Sequence, residues 1–405
     1  MQLKWWGKME RKKILIVINS LHCGGAEKSL ISMLTTFDYA KYNVDLQMFN
    51  PQGMFLDLLP KEVKVLPQID YLRYCGLSMY GKIKKMNFRF LCTYLKTSFG
   101  LRMEKSNLEL HPAQKYWKYC HNAISESKKI YDIAIAWGQG NPTHYVAEKV
   151  NAKKKIAFIN ADYEAVGHDK KFDYKYYEQY DYIAVVSEGL KEIMRQVFPD
   201  MERKLKTIYD INNKELIERM SLVENPFVGV EEKILVTVGR LEKPKGYDIA
   251  AEACKLLKES GIFFKWYIVG EGSERSNIEQ DIEKFGIQEQ LILVGAKENP
   301  YVYMKNADVY VQTSKYEGFC LTVGEAKILN IPVVSTNFEV IYNQIVSEEN
   351  GLIVDMDAKA VADGIKRMLL DNALRKRIIC NLQKEKKGNI EEIEKLYCIL
   401  EEVKN

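Results

Sequence analysis

Short apolar runs rich in β-branched residues alternate with longer helical patterns along this chain, and this alternation constrains the fold more than any other feature. Several runs are apolar throughout, which is typical of parallel strands that helices cover on both faces. Strands and helices in such alternation predict βαβ units, so the predicted fold class is α/β. The predicted strands cover residues 14–18, 44–49, 63–66, 133–137, 156–159 and 183–186, and then 234–238, 266–269, 291–294, 309–312, 333–335 and 352–354.

Two such series in 405 residues predict two doubly wound domains. A polar stretch around residues 199–230 separates the series, and we place the boundary near Tyr209. The first domain would then cover residues 1–209 and the second residues 210–389. The last segment, 390–405, has a helical pattern that no following strand requires, so we expect it to pack back on the first domain.

Composition excludes several classes of protein. With 47% hydrophobic and 28% charged residues the chain is globular, and a net charge of +4 is too small to indicate nucleic-acid binding. Eight scattered cysteines without a CxxC pair predict reduced packing residues in a cytoplasmic protein. The N-terminus lacks the apolar stretch of a signal peptide, and we interpret residues 1–8 as an upstream extension before Met9.

Residues 82–105 carry many cations and apolar residues at helical spacing. Such a stretch can lie on an anionic membrane surface, which predicts peripheral membrane contact. Equally, the helix could pack its apolar side on its own domain and leave a solvated basic face, and the sequence leaves both readings open. The residues concerned are Lys82, Lys84, Lys85, Arg89, Lys96, Arg102 and Lys105, the single acid Glu104, and Phe88, Leu91, Leu95 and Phe99.

A glycine pair, Gly24 and Gly25, follows the first predicted strand and precedes a helical pattern. Backbone N–H groups point outward at a helix N-terminus, and without Cβ atoms a phosphate or a sugar can approach closely. The pattern is not GxGxxG, so a nicotinamide cofactor is disfavoured. A tight turn that needs glycine for its geometry alone is the alternative.

A second cluster, Gly239-Arg240 followed by Lys245-Gly246, comes directly after the first strand of the second series. It therefore lies at the carboxyl edge of the predicted sheet, where doubly wound folds bind ligands. The planar fork of Arg240 and the point charge of Lys245 suit a diphosphate and the charge that builds on a leaving phosphate. We interpret Lys243 as a solvated loop residue.

The third cluster runs from Glu317 to Glu325, between the strand at 309–312 and a helix. Backbone N–H groups at that helix start are predicted to bind phosphate. Glu325 is placed to accept hydrogen bonds from vicinal hydroxyls such as those of a ribose, and Glu317 to hold the sugar. The further donor-binding candidates in this segment are Gly318, Phe319, Leu321, Thr322 and Val323.

Two glutamates with seven residues between them, together with the clusters at 24–27 and 239–246, closely resemble the retaining GT-B glycosyltransferases of family four. The resemblance runs over most of the chain, is specific in the second half and is looser between residues 71 and 131. It implies two Rossmann-like domains that face each other across a cleft. It also implies a retaining hexosyltransferase that uses a nucleotide-sugar such as a UDP- or GDP-sugar. The implied acceptor is a growing glycan, lipid-linked acceptors included, at the cytoplasmic face of the membrane.

The resemblance also assigns roles. Glu325 would bind the donor ribose, Arg240 and Lys245 the diphosphate, and the backbone of residues 319–323 the phosphates. Glu317 would hold the hydroxyls of the donor sugar, while Gly24 and Gly25 would close over the donor from the other domain. Attack would come from the front face of the sugar. No cofactor and no metal are expected, because fixed cations would neutralise the leaving diphosphate.

One departure from the family concerns Asn160 and Asp162, where many relatives carry His-x-Asp. Asparagine cannot exchange a proton near neutral pH, so we expect Asn160 to position sugar hydroxyls and Asp162 to be the ionisable group nearby. His168 could substitute for the family's histidine, but we interpret it as a surface-loop histidine without a role. The DxD letters at 355–357 follow a strand in a polar loop, so we attribute them to chance.

Two other functions fit the same residues. An accessory subunit could keep the fold without turnover, and Asn160 is the feature that would favour it. A sugar-nucleotide epimerase or hydrolase could use the same architecture, and product analysis without an acceptor would distinguish it from a transferase.

Overall fold

A computed structural model describes residues 10–22, 24–85, 87–103 and 110–402. Within these residues the chain forms two compact units. The first unit contains residues 10–22, 34–209 and 393–402, and the second contains residues 24–33 and 210–392. The predictions about residues 1–8, Glu104 and Lys105 lie outside the described residues.

The first unit is built on a seven-stranded sheet in the order β3-β2-β1-β4-β5-β6-β7, and its paired strands are parallel. The six strands predicted for this half are present. The seventh, β7, escaped the sequence analysis because three residues are too few to show a hydrophobic period. The strands are β1 Lys12–Ile18, β2 Tyr42–Met48, β3 Lys64–Val65, β4 Ile130–Trp137, β5 Asn151–Ile159, β6 Tyr182–Val185 and β7 Leu205–Thr207.

The second unit has a six-stranded parallel sheet in the order β10-β9-β8-β11-β12-β13. All six strands predicted for it are present, so the prediction of an α/β fold is confirmed. If the six strands are numbered from 1 in chain order, the sheet has the order 3-2-1-4-5-6, which is that of doubly wound dinucleotide-binding sheets. The order reverses between β8 and β11. The strands are β8 Lys233–Val238, β9 Phe264–Val269, β10 Leu291–Gly295, β11 Val309–Gln312, β12 Val333–Thr336 and β13 Leu352–Val354.

Helices cover both faces of these sheets, as parallel strands require. Several begin at a side-chain cap, and Asp357 and Asp371, for example, accept hydrogen bonds from the first turns of their helices. The helices are α1 Gly25–Thr35, α2 Asp70–Cys75, α3 Met79–Lys84, α4 Phe88–Met103, α5 Pro112–Cys120, α6 Asn141–Lys149, α7 Lys170–Tyr177, α8 Glu188–Val197, α9 Lys214–Ser221, α10 Tyr247–Glu259, α11 Arg275–Phe285, α12 Tyr301–Lys305, α13 Leu321–Ile328, α14 Ala358–Leu370, α15 Asn372–Lys384 and α16 Glu392–Glu401.

The core of the second unit lies on the two faces of its sheet. Trp266 on β9 is fully buried, and its indole N–H donates to Thr237 Oγ1 at 2.9 Å. A buried indole needs such a partner because an unpaired N–H would be costly. This hydrogen bond links β8 to β9 in the core. It thereby helps to fix the position at which the loop after β8 begins.

The helix α16 belongs to the first unit. The ring of Tyr397 stacks on Tyr42 of β2 at 5.7 Å, and the Tyr397 hydroxyl accepts from the Asp38 N–H at 2.7 Å. The ammonium of Lys12 on β1 lies 2.7 Å from the Glu401 carboxylate. These contacts fasten the helix to the first two strands of the chain.

The predicted basic helix over residues 82–105 is instead two helices, α3 and α4. Lys82 is 4% exposed, donates to the Leu77 carbonyl and lies 4.3 Å from the centroid of the Tyr94 ring. The prediction that Lys82 lies on a solvated basic face is therefore wrong, because its ammonium closes the turn between α2 and α3.

The apolar residues of α4 do not all pack on the first unit. Phe88, Leu95 and Phe99 are 78%, 51% and 65% exposed. For these three side chains the packing alternative is wrong. Phe90 points the other way and packs edge-on against Tyr71 at 5.5 Å. The described helices include none long and apolar enough to cross a membrane.

Candidate active site

The loops after β8 and β11 meet where the strand order of the second sheet reverses. Gly246 has φ +65°, and a Cβ there would lie 2.0 Å from the Thr313 carbonyl oxygen, so this approach requires glycine. The Thr313 hydroxyl donates to the Lys245 carbonyl at 2.9 Å. The 3-10 helix Lys243–Lys245 is thereby fastened to the loop after β11.

Lys245 and Glu317 form an ion pair in this crevice. The ammonium lies 2.7 and 2.8 Å from the two carboxylate oxygens. The side chains are 23% and 9% exposed, which strengthens the attraction relative to a surface pair. Two residues singled out from the sequence for the donor phosphate and the donor sugar are thus adjacent.

Gln312 and Ser314 support Glu317, and the sequence analysis did not identify either. The Ser314 hydroxyl and the Gln312 amide donate to Glu317 Oε1 at 2.6 and 3.0 Å. The Gln312 amide oxygen in turn accepts from the Tyr310 hydroxyl at 2.8 Å and the Thr322 hydroxyl at 3.3 Å. Gln312 could have been identified in the sequence as a polar residue at the end of an otherwise apolar strand. This network fixes the Glu317 carboxylate to β11 and α13.

Arg240 lies on the same loop as Lys245 but has a different partner. Its side chain is 61% exposed, and Nη1 donates to Glu242 at 2.8 Å. None of its described hydrogen bonds reaches Glu317. The guanidinium is therefore exposed on this loop, whereas the Lys245–Glu317 pair is partly buried.

The segment before α13 turns sharply at Cys320, which has φ +63° in the left-handed region. Gln344 donates to the carbonyls of Phe319 and Cys320, the latter at 3.2 Å. Val323 N–H donates to the Cys320 carbonyl at 3.2 Å, so this predicted phosphate donor is engaged within the turn. Gly318 and Phe319 lie in the loop that leads into the helix.

The start of α13 packs closely on a neighbouring asparagine. Asn212 Nδ2 donates to the Leu321 carbonyl at 3.3 Å, and a Cβ at Gly324 would lie 2.3 Å from that same nitrogen. Glycine at position 324 therefore permits the approach of Asn212.

Glu325 is buried on the second turn of α13, with its side chain 1% exposed. Both of its carboxylate oxygens lie 3.0 Å from Lys28 Nζ, and Oε1 also accepts from the Tyr301 hydroxyl at 2.9 Å. Neither partner was predicted from the sequence.

Gly24 and Gly25 lie at the start of α1, in the part of the chain that clusters with the second unit. The Gly24 carbonyl accepts the Lys28 N–H at 3.1 Å, and a Cβ at Gly25 would lie 3.4 Å from Leu321 Cδ1. We expected the two glycines to belong to the first domain. They group with the second unit instead, because the division between the units falls within α1, after Met33.

Asn160 follows β5 in the first unit. Its amide nitrogen and oxygen are both buried and have no hydrogen-bond partner among the described residues. Its backbone N–H donates to Gln139 Oε1 at 3.1 Å. Unpaired buried polar groups are rare and costly, so this amide is available to hydrogen-bond a ligand or a water molecule.

The Asp162 carboxylate accepts hydrogen bonds from the backbone of its own loop. Its Oδ1 accepts from the N–H groups of Glu164 and Ala165 at 2.8 and 3.0 Å, as in an Asx turn. The carboxylate thereby holds the turn that follows Asn160.

His168 is not a surface histidine, and that interpretation is wrong. Its side chain is 2% exposed, its Nδ1 lies 3.0 Å from Asp173 Oδ2, and its ring stacks on His111 at 4.3 Å. Asp173 also contacts His144 at 2.7 Å. Burial opposes ionisation of Asp173, but hydrogen bonds from His144 and His168 outweigh it and lower the pKa of this carboxyl.

The described residues contain no group of three or more histidine, cysteine, aspartate or glutamate side chains that could hold a metal ion. In the DxD segment, Asp355 accepts from Asn337 Nδ2 at 3.3 Å and Asp357 caps α14 through the Ala360 N–H at 2.9 Å. Both carboxylates therefore have structural partners.

Part of the second unit matches a known protein family. Residues 223–385 match the family described as glycosyl transferases group 1. The N-acetylgalactosamine-N,N'-diacetylbacillosaminyl-diphospho-undecaprenol 4-alpha-N-acetylgalactosaminyltransferase of Campylobacter jejuni is 25% identical over 373 residues, which cover 90% of this chain and 92% of that protein. The poly(ribitol-phosphate) alpha-N-acetylglucosaminyltransferase of Staphylococcus aureus is 27% identical over 268 residues, 63% of this chain and 51% of its own length.

Among solved structures, Anabaena HepE in complex with UDP and glucose superposes with a TM-score of 0.68 at 14% identity. The superposition covers 97% of this chain and all of HepE. At this identity the likeness concerns the fold, which is the GT-B fold expected from the sequence. The matched segment includes Lys245, Glu317 and Glu325. Residues 223–385 therefore match the group 1 glycosyl transferases, and the chain has the GT-B fold.

Proposed function

We propose that the chain is a retaining, metal-independent hexosyltransferase that takes its sugar from a UDP-sugar and adds it to a lipid-linked glycan at the cytoplasmic face of the membrane. The observation that carries this proposal is the Lys245–Glu317 pair in the crevice between β8 and β11. Doubly wound sheets bind their ligands there, and the pair provides a cation for phosphate and an acceptor for sugar hydroxyls.

The chemistry needs charge stabilisation where the bond between the anomeric carbon and the phosphate oxygen breaks. Negative charge then develops on the leaving diphosphate. An ammonium has three N–H donors, and Glu317 engages Lys245 through its two oxygens, so one donor is left to face a phosphate. Arg240, exposed on the same loop, supplies a planar fork for the same group. Such fixed cations act without a divalent metal.

The relatives support the identity of donor and acceptor. HepE binds UDP and glucose, and the Campylobacter relative acts on an undecaprenol-linked sugar. Asn160 supports a sugar ligand on the first unit, because its unpaired amide can both donate to and accept from hydroxyls. As an uncharged group it would orient a sugar without exchanging a proton.

Calorimetry with UDP, GDP and ADP in the presence of EDTA tests the donor. We expect UDP to bind most tightly, and a UDP concentration of 100 times its Kd to stabilise the protein by about 2.7 kcal/mol. Transfer from the matching UDP-sugar should then give a product with the donor's anomeric configuration, read by nuclear magnetic resonance.

Three results would contradict parts of this proposal. Affinity or turnover that EDTA removes and Mg²⁺ or Mn²⁺ restores would exclude metal independence. An inverted product would exclude retention. Donor cleavage at the same rate with and without an acceptor would favour a hydrolase.

The membrane proposal rests on a surface of α4 that we name the apolar stripe, formed by Phe88, Cys92, Leu95 and Phe99. These residues recur at helical spacing and all four are exposed. Exposed cations flank the stripe, namely Arg89, Lys96 and Arg102, and residues 79–103 contain no acid. Apolar side chains beside uncompensated cations fit an anionic lipid surface.

The double substitution Phe88→Ser with Phe99→Ser is expected to weaken cosedimentation with phosphatidylglycerol vesicles by about tenfold or more, because burying each phenylalanine contributes about 1.5–3 kcal/mol. Phe263→Ser is the matched control, since this second-unit phenylalanine is 81% exposed and lies off the stripe. Unchanged binding of the double variant would refute the membrane role of the stripe, and equal binding to uncharged phosphatidylcholine vesicles would refute the preference for anionic lipid.

A further inference from the structure

Glu325 needs partners because it is a buried carboxylate. With 1% of its side chain exposed, it has almost no contact with water. Removing a carboxylate from water is costly unless the group is paired and hydrogen-bonded. The groups around Glu325 therefore decide where its oxygens point.

Lys28 supplies the countercharge from the first turn of α1. Its ammonium lies 3.0 Å from each carboxylate oxygen, and its side chain is 11% exposed. A contact to both oxygens fixes the carboxylate plane as well as its charge, since rotation of the group would break one of the two hydrogen bonds.

Tyr301, at the start of α12, contacts both members of the pair. Its hydroxyl donates to Glu325 Oε1 at 2.9 Å, and its ring centroid lies 5.1 Å from the Lys28 ammonium. The first contact is a hydrogen bond and the second a cation–π interaction. One rigid side chain thus limits the freedom of both charges.

The carboxylate retains capacity for a ligand. Its two oxygens offer about four acceptor positions. Among the described contacts, Lys28 uses one position on each oxygen and Tyr301 uses a second on Oε1. A position on Oε2 can accept one hydroxyl of a vicinal pair, and the other hydroxyl can share an oxygen with Lys28.

We propose that Lys28 and Tyr301 are positioning residues that hold the Glu325 carboxylate oriented to accept hydrogen bonds from the ribose hydroxyls of the donor nucleotide. The inference rests on the proposed nucleotide-sugar donor and goes further, because it makes this cluster the device that selects ribonucleotides. A site that is built to hydrogen-bond a hydroxyl rejects an analogue without it, since its buried acceptor is then left unpaired.

The test is the ratio of affinities for uridine diphosphate and 2′-deoxyuridine diphosphate, measured by calorimetry. The wild type is expected to prefer the ribonucleotide by about 10–100-fold, as for a hydrogen bond to a charged group. Lys28→Met should lower that preference below about threefold, because the carboxylate loses the two hydrogen bonds that fix its plane. Lys28→Arg should restore most of the preference, and Tyr301→Phe should give an intermediate value.

Two further variants protect the test from a folding defect. Lys28→Met with Glu325→Gln removes both buried charges, and this double variant should fold and bind both nucleotides alike. Lys233→Met is the matched control, because Lys233 pairs with Asp308 at 3.2 Å in the same unit, at the start of β8 rather than at its carboxyl end. Its preference should equal that of the wild type.

The outcomes separate the inference from the proposed function. If Lys28→Met lowers the affinity for both nucleotides by the same factor, the ratio of the two affinities stays that of the wild type. Lys28 then contacts phosphate instead, and the inference is overturned. If the wild type binds both nucleotides equally, the inference fails while the diphosphate donor stands. If no nucleoside diphosphate binds, the proposed donor fails and this inference fails with it.

Discussion

Replacing Lys245 with methionine is expected to lower turnover by about 10²–10³-fold, the usual effect of removing one preorganised donor from developing charge. The substitution removes the ammonium that faces the leaving diphosphate and keeps the length of the side chain. Initial rates of transfer at saturating donor measure the effect, and a single-turnover experiment assigns it to the chemical step.

The control lies two residues earlier in the same 3-10 helix. Lys243 is exposed, so Lys243→Met should leave turnover unchanged. Because Lys245→Met also leaves Glu317 without its counterion, Lys245→Met with Glu317→Gln tests whether a buried unpaired charge causes the loss. Equal turnover of Lys245→Met and the wild type would exclude Lys245 from the reaction.

Asp210→Asn is expected to raise stability at pH 8 by on the order of 4 kcal/mol and to leave it nearly unchanged at pH 4. Asp210 is 7% exposed. Burial raises the pKa of its carboxyl from 3.8 to about 7, the negative charge of Glu27 adds to the shift, and a hydrogen bond with Ser29 opposes it. Between these two values the folded state holds a proton that the unfolded state has released. Stability is therefore complete below pH 3.8 and is lost as the pH rises through 7.

Urea midpoints at intervals between pH 4 and pH 8 provide the measurement, since a chain of two units has no single free energy of unfolding. The informative quantity is the difference between wild type and variant, because other acids titrate equally in both. Asp363→Asn is the control, as this aspartate on α14 is exposed. A pH-independent difference between wild type and Asp210→Asn would contradict the expected titration.

Much of the fold was predictable because parallel sheets leave a strong signal. Buried strands read as apolar runs, and twelve of the thirteen strands were identified from them. Adjacency at the carboxyl edge also followed from strand order. Lys245 and Glu317, 72 residues apart, meet because their loops follow neighbouring strands. Their roles in binding and catalysis stay predictions that the variants above test.

Partners across long separations were not predictable. Lys28 and Glu325 are 297 residues apart, and periodicity reports which face of a helix is buried but not which residue covers it. His168 was misread for a similar reason, since a position in a loop suggests exposure, whereas Asp173 and His111 draw the ring inward. For the apolar stripe the sequence left both readings open, because amphipathic spacing alone does not tell whether a helix packs its apolar face on its own domain.

The place of α16 has a consequence for how the protein is made. Because this helix completes the first unit, residues 10–22 and 34–209 wait for residues 393–402, which are made after the second unit. Residues 210–392 are synthesised in between, which takes on the order of 10–40 s at usual rates of elongation. During that interval the surface around Tyr42 and Lys12 lacks its cover. Folding of the first unit is then completed only after most of the second has emerged, so a change near residue 400 acts on the start of the chain.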